Sequence, residues 1–202
     1  MSAIKTRTLS RAAKATRPRH DTEIARLEAE LGTARARIAE LETRIDVDPL
    51  TETLNRRGFE RELVRALAYV ERYGVTAALA YLDLDTFKPV NDRHGHAAGD
   101  AVLKIVATAL VANVRASDVV ARIGGDEFVI LLWNVSAADA AAKALALENV
   151  IAGLSVRWNR ATITVGVSAG AASVGRRDTP AAVLSRADAA MYSRKRERKA
   201  GR

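Results

Sequence analysis

From Ile24 onward the apolar residues fall into step. Ile24, Leu27, Leu31, Ala34, Ile38, Leu41 and Ile45 recur at alternating spacings of three and four. Residues so spaced share one face of a helix, and the run predicts a helix over 21–47 with a narrow heptad seam. Glu and Arg fill much of its other faces. An amphipathic helix packed on its own body would also show a stripe. The narrowness of this one, and its abrupt stop at Asp46–Pro49, favour a coiled coil that makes the chain a homodimer. Gly32 lies off the seam and costs some helix stability.

After that stop the period changes. Phe59, Leu63, Ala66, Leu67 and Val70 predict a helix from about Asn55 to Tyr73, closed by Gly74. Ala77 to Leu84 reads as a buried strand that runs into Asp83 and Asp85. Ala98-Gly99-Asp100 opens a second helix, with Val102, Ile105, Val106, Ala109 and Leu110 facing inward. Val119–Ile123 and Phe128–Trp133 read as short strands about a Gly124-Gly125 hairpin turn. Ser136 and Asp139 suit a capping box for a helix to about Leu154. A strand from Thr162 to Ala172 follows, then a helix opened by Thr179-Pro180 that carries Ala187, Met191 and Tyr192. The order α-β-α-β-β-α-β-α predicts an α/β sandwich. A central, mainly antiparallel sheet with a hairpin at its heart is flanked by helices, with no second globular domain. The expected organisation is a basic disordered arm over 1–20, the coiled coil over 21–47 and the globular body over 48–202.

Composition narrows the chemistry. The absence of cysteine excludes disulfides and thiolate metal sites and suits a reducing compartment, with the cytoplasm as the expected location. No apolar run approaches the ~18 residues of a membrane span, and the first twenty residues lack the apolar core of a secretory signal. The net charge of +8 sits in the tails: Lys5, Arg7, Arg11, Lys14, Arg17 and Arg19 precede any acid, and from Arg194 onward six basic residues stand against one acid, Glu197. The body between them is mildly acidic. Nucleic-acid binding therefore finds little support, the more so as aromatics are only 4% and supply no stacking array. The arm suits a solvated tail, or a contact with an anionic membrane, a polyanion or a regulatory partner.

Two acidic groups stand at strand ends, Asp83-Leu84-Asp85 and Asp126-Glu127. Their strands are apolar and should be sheet neighbours, which would bring the carboxylates to one edge. Like charges so placed repel unless a cation separates them. Mg²⁺ is the expected cation, because it prefers oxygen ligands and completes its shell with water and substrate phosphates. Read singly, each group suits a turn or a helix cap. Read together, and followed by Phe87-Lys88, Asn91-Asp92 and Gly95-His96, they point to a site. Lys88 places a cation near phosphate oxygens, and Asn91 and Asp100 suit the amide-like edge of guanine. The residues by themselves lead to metal-dependent nucleotidyl chemistry and no further.

The chain resembles the GGDEF family of diguanylate cyclases over Asp48 to about Lys199. The match runs through Asp48-Pro49-Leu50-Thr51, Asn55-Arg56-Arg57, Asp83-Leu84-Asp85-Thr86-Phe87-Lys88, Asn91-Asp92, Gly95-His96, Gly99-Asp100, Arg122-Ile123-Gly124-Gly125-Asp126-Glu127-Phe128 and Ala187-Asp188. The resemblance implies that two GTP molecules are joined into cyclic di-GMP by two divalent ions, Mg²⁺ or alternatively Mn²⁺, in each half-site. It makes Asp83, Asp126 and the Leu84 carbonyl metal ligands, with Glu127 assisting. It assigns Asn91 and Asp100 to guanine, Lys88, Lys195 and Lys199 to the triphosphate, and Phe87, Gly124 and Gly125 to the substrate site. Each domain would bind one GTP, so two must face each other. Arg115 and Asp118 resemble the family's inhibitory RxxD motif and imply feedback by the product. A catalytically silent module that binds cyclic di-GMP is the other reading; intact Asp83, Asp126 and Glu127 argue against it. The chain departs from the family pattern at Glu52, where Gly is usual, at Thr53, at Trp133, and at Arg198-Lys199-Ala200, where Gly-Arg-Asn is common.

Overall fold

The computed structural model describes residues 23–33, 35 and 46–200. The basic arm and the later seam positions Ala34, Ile38, Leu41 and Ile45 lie outside the described residues. The stretch 23–33 is helical, with Ile24, Leu27 and Leu31 about half exposed. Among the described residues no helix is long and apolar enough to cross a membrane.

The body begins at Asp46, which is buried and paired with Arg61 and, at 3.5 Å, with Arg57. A short strand, β1 (Leu54–Asn55), leads into α1 (Arg56–Tyr73). The Asn55 side chain accepts the Gly58 N–H at 3.0 Å and caps that helix. Gly74, at φ +68°, ends it in the left-handed conformation that glycine adopts without strain. Then come β2 (Ala77–Asp85), α2 (Phe87–His94), α3 (His96–Ala112), β3 (Val119–Arg122) and β4 (Glu127–Trp133). The chain continues through α4 (Ala137–Ala152), β5 (Val156–Trp158), β6 (Ala161–Ile163), β7 (Gly166–Ser173) and α5 (Pro180–Ala200).

Five strands form one sheet in the order β1-β3-β4-β2-β7, and β5 and β6 form a separate hairpin. Within the sheet, β3–β4, β4–β2 and β2–β7 are antiparallel, and only β1–β3 is parallel. Strand alternation sends the two faces into two cores. Ala78, Ala80, Leu82, Phe128, Ile130 and Leu132 pack with α3 and α4. Leu79, Tyr81, Val129 and Leu131 pack with α1 and α5. This is the expected α/β sandwich with its mainly antiparallel centre.

Several expectations need correction. The segment Phe87–His94 is a helix of its own, and Gly95 (φ +83°, ψ 162°) breaks the chain before α3, which starts at His96 rather than Ala98. The strand expected over 162–172 is split into β6 and β7, because β6 turns back on β5 through Asn159 at φ +52°. Ile105, expected inside, is 36% exposed, since Leu103 and Ala107 fill the inner face of α3. The hairpin expected about Gly124-Gly125 does form between β3 and β4, with neither glycine at a positive φ. Their turn is closed instead by the Ile123 N–H donating to the Glu127 carbonyl at 3.0 Å.

Candidate active site

The register of β2 against β4 places Asp83 directly opposite Glu127. The Leu84 N–H donates to the Asp126 carbonyl at 3.1 Å, so the two acidic groups, distant in sequence, share one end of the sheet. Alternation turns Asp83 to the same face as Tyr81, toward α5. From α5, Lys195 Nζ donates to Asp83 Oδ1.

The electrostatics of this end are unbalanced. Burial first, and then the neighbouring Asp83 charge, push the Asp126 carboxyl above the ordinary aspartate range, while its own backbone amide and the Lys195 ammonium oppose the shift. Glu127 is turned toward Tyr81, whose hydroxyl donates to Oε1 at 2.9 Å. Burial and that carboxylate hold the phenol strongly protonated. A Cβ on Gly124 would stand 2.1 Å from Glu127 Oε2, so the first glycine makes room for this carboxylate. Around Gly125 there is open space. Arg122 anchors the turn from below: Nη2 donates to the Gly125 carbonyl at 2.8 Å and Nη1 to Asp48 at 3.2 Å.

Beside the acids, α2 and α3 form a second wall. Phe87 is 9% exposed and belongs to the core. Asn91 is half-buried against Gly99, where a Cβ would lie 2.0 Å from Oδ1, so glycine there lets α3 approach α2 closely. Asp100, on the next residue of α3, and Lys88, on the first turn of α2, are exposed. A cleft of about 290 Å³ lies between the start of α2 and the end of α5, lined by Asp85, Thr86, Pro89, Lys195, Arg198 and Lys199.

Arg115 and Asp118 stand elsewhere. Asp118 accepts the Arg115 N–H at 2.9 Å and the Trp133 N–H at 3.1 Å. Trp133 pairs with Ala77, at the opposite end of β2 and β4 from Asp83. Both residues line two clefts, of about 570 and 490 Å³, and the Arg115 side chain is exposed.

Among the described residues no three Asp, Glu or His side chains gather about one point that could hold a metal ion. The donor chemistry nonetheless suits a hard divalent cation. Two carboxylates, Asp83 and Asp126, stand close enough to repel, and the Lys195 ammonium supplies positive charge against one of them. Tyr81, Arg122, Glu148 and Arg198 were not legible as site residues. Tyr81 carried a signal, two positions before Asp83 on the same strand face, and Arg122 stood at the head of the Gly124-Gly125-Asp126-Glu127 string.

The profile of the family described as "Diguanylate cyclase, GGDEF domain" matches residues 45–201. The chain belongs to the GGDEF family. It is 42% identical over 160 residues to the diguanylate cyclase TpbB of Pseudomonas aeruginosa strain UCBPP-PA14, a match that covers 77% of this chain and 36% of TpbB. The chain thus spans about a third of the length of that relative. Among solved GGDEF structures, the coiled coil and GGDEF domain of DgcB from Caulobacter crescentus, in complex with c-di-GMP, superposes with a TM-score of 0.77 at 30% identity, covering 88% of this chain and 94% of that one. Diguanylate cyclase SiaD of Pseudomonas aeruginosa, in complex with its activator SiaC, gives a TM-score of 0.75 at 31% identity, covering 97% of this chain and 76% of that one. Family members of this kind generally use divalent metal ions.

Proposed function

We propose that the chain is a diguanylate cyclase that condenses two GTP molecules into cyclic di-GMP and releases two pyrophosphates. The observation that carries this reading is the meeting of Asp83 and Asp126 at one sheet end, with Lys195 turned in from α5. Two Mg²⁺ or Mn²⁺ ions on Asp83, Asp126 and the Leu84 carbonyl would supply charge stabilisation to the transferring phosphoryl group and acidify the attacking hydroxyl. The chain's own part is to bind and orient. Asn91 and Asp100 receive guanine from two adjacent helices, Phe87 supports that wall, and the turn at Gly124 and Gly125 borders the nucleotide. Lys88, Lys195 and Lys199 neutralise the triphosphate, and Glu127, held by Tyr81, keeps the acidic end negative.

The 3′-hydroxyl of each GTP attacks the α-phosphorus of the other, so two domains must face each other and positioning dominates the rate. In this reading residues 21–47 form the coiled coil that raises the effective concentration of one body, 48–202, near its twin. The reaction is placed in the cytoplasm. Arg115 and Asp118, remote from the acidic end and bordering two clefts, bind the product as a feedback ligand.

Incubation with GTP and Mg²⁺ at several protein concentrations, with product analysis, is the test. Cyclic di-GMP and pyrophosphate are expected, with specific activity falling on dilution once residues 1–45 are deleted. Binding of cyclic di-GMP without synthesis would replace this reading by a silent sensor. Arg115→Ala is expected to relieve inhibition by added product, and unchanged inhibition would remove the feedback role.

A further inference from the structure

β7 is an edge strand of the main sheet, so its outer backbone groups need partners other than a strand. Two side chains supply them. Glu148, on α4 over one face, accepts the Ala169 N–H at 2.9 Å. Arg198, on α5 over the other face, donates to the Val167 carbonyl. Residues two apart in a strand point their backbone groups to the same edge, so α4 and α5 meet around this one.

Glu148 is only 4% exposed, and a buried carboxylate is costly unless its charge is met. Arg194 meets it with Nε and Nη2 at 3.3 and 3.2 Å, and Arg198 Nη1 lies 3.5 Å away. The two arginines are four residues apart on α5, with Lys195 next to the first. Arg198 Nη2 also lies 3.6 Å from Asp85 Oδ2, whose other oxygen accepts the Ser168 hydroxyl at 2.9 Å. One buried carboxylate therefore grips both ends of the helical turn that presents Lys195 to Asp83.

We propose that Glu148 is a positioning residue for the nucleotide. By gathering Arg194 and Arg198 at the edge of β7, it sets the rotation of α5 that aims Lys195 into the cleft beside Asp85, Thr86 and Pro89. The inference rests on the reading of that cleft as the seat of the triphosphate. Glu148 touches no substrate in this scheme and acts through Lys195.

Steady-state kinetics with GTP and Mg²⁺ on the full chain test it. Glu148→Gln keeps an acceptor for Ala169 and loses the charge that gathers the arginines. The KM for GTP is expected to rise about tenfold, the scale of one displaced charge-assisted contact, with kcat changed by less than about twofold. Arg198→Ala leaves the Arg194–Glu148 pair in place, so it folds even where Glu148→Gln does not, and it is expected to raise KM about fivefold. In a Lys195→Ala background neither substitution should raise KM further. An unchanged KM, with kcat falling in step with the folded fraction, would make Glu148 purely structural and overturn the proposal. So would effects that add to that of Lys195→Ala. A wild-type chain that neither binds nor turns over GTP overturns the triphosphate seat itself, an outcome visible before any substitution is made.

Discussion

Asp48 and Asp126 are two aspartates joined through one arginine, and their surroundings are opposite. Arg122 reaches Asp48 with Nη1 and the Gly125 carbonyl, one residue before Asp126, with Nε and Nη2. Asp48 also accepts the Thr51 N–H at 2.9 Å and the Thr51 hydroxyl at 2.7 Å. Burial pushes its carboxyl upward, but Thr51 and Arg122 more than offset this, and it titrates below the ordinary aspartate range. Asp126 is partly buried beside Asp83, its own backbone amide and the nearby Lys195 do not offset burial and that charge, and it titrates above that range. The first carboxylate is satisfied by its own fold. The second is not, and that difference is the one expected between a residue that builds the turn and one that, in the proposed function, holds a metal ion.

The contrast is broken most sharply at Asp126. In the proposed function Asp126 holds a catalytic cation, a role that would contribute several kcal/mol to transition-state stabilisation, so Asp126→Asn should lower turnover by on the order of 10³-fold. The folded chain should lose nothing. A carboxyl whose folded pKa is raised favours folding only while protonated, and its contribution declines as pH rises from the ordinary aspartate value through the raised one. At pH 7 the ionised Asp126 therefore weakens the ligand-free protein. Asp126→Asn should melt at the same temperature as the wild type or roughly 1–4 °C higher. A variant that melts well below wild type would mean that Asp126 is a structural residue like Asp48.

Much of this end of the molecule was legible because strand chemistry is local. A continuous apolar run from Ala77 into Asp83, and another that opens just after Asp126-Glu127, read as buried strands with acids at their ends. The partnerships were not legible. Arg122 answers to Asp48 and Gly125, and Glu148 to Arg194 and Arg198, through contacts that exist only once the sheet order is set. The helix Phe87–His94 escaped for a different reason. Eight residues with Pro89 inside and only Phe87 and Val90 buried are too few to establish a helical period. The split of β6 from β7 turned on a left-handed Asn159, which periodicity does not register.

The opposite substitution addresses the satisfied carboxylate. Asp48→Ala removes the acceptor for Thr51 and leaves the Arg122 guanidinium, 15% exposed, with the Gly125 carbonyl but without its carboxylate. The expected loss is about 2 kcal/mol, read as a fall in Tm of roughly 4–8 °C. Because the folded pKa of Asp48 is lowered, its contribution is present above the ordinary aspartate value and is lost as pH falls through the folded one. The gap in stability between Asp48→Ala and wild type, measured by urea unfolding, should therefore be full at pH 7 and shrink in strong acid. A gap independent of pH would show that the hydrogen bonds of the turn, and not the ionised carboxylate, hold the corner.

The smallest effect concerns the same corner and tests whether it is fully relaxed. Glu52 donates its N–H to the Asp48 carbonyl at 2.9 Å and sits at φ +59°, the left-handed region that costs a residue with a Cβ about 1–2 kcal/mol. The Asp48 N–H, bonded to the Thr53 carbonyl at 2.8 Å, leaves the turn no room to open. Glycine at position 52 relieves the strain but adds freedom to the unfolded chain, which offsets part of the gain. Glu52→Gly should therefore stabilise by roughly 0.5 kcal/mol, a rise in Tm of about 1–2 °C. Glu52→Ala keeps the Cβ and should bring no such rise. If the two variants melt together, the corner bears no backbone strain and its stability lies wholly in the donors around Asp48; if only glycine gains, the satisfied carboxylate is holding a strained turn closed.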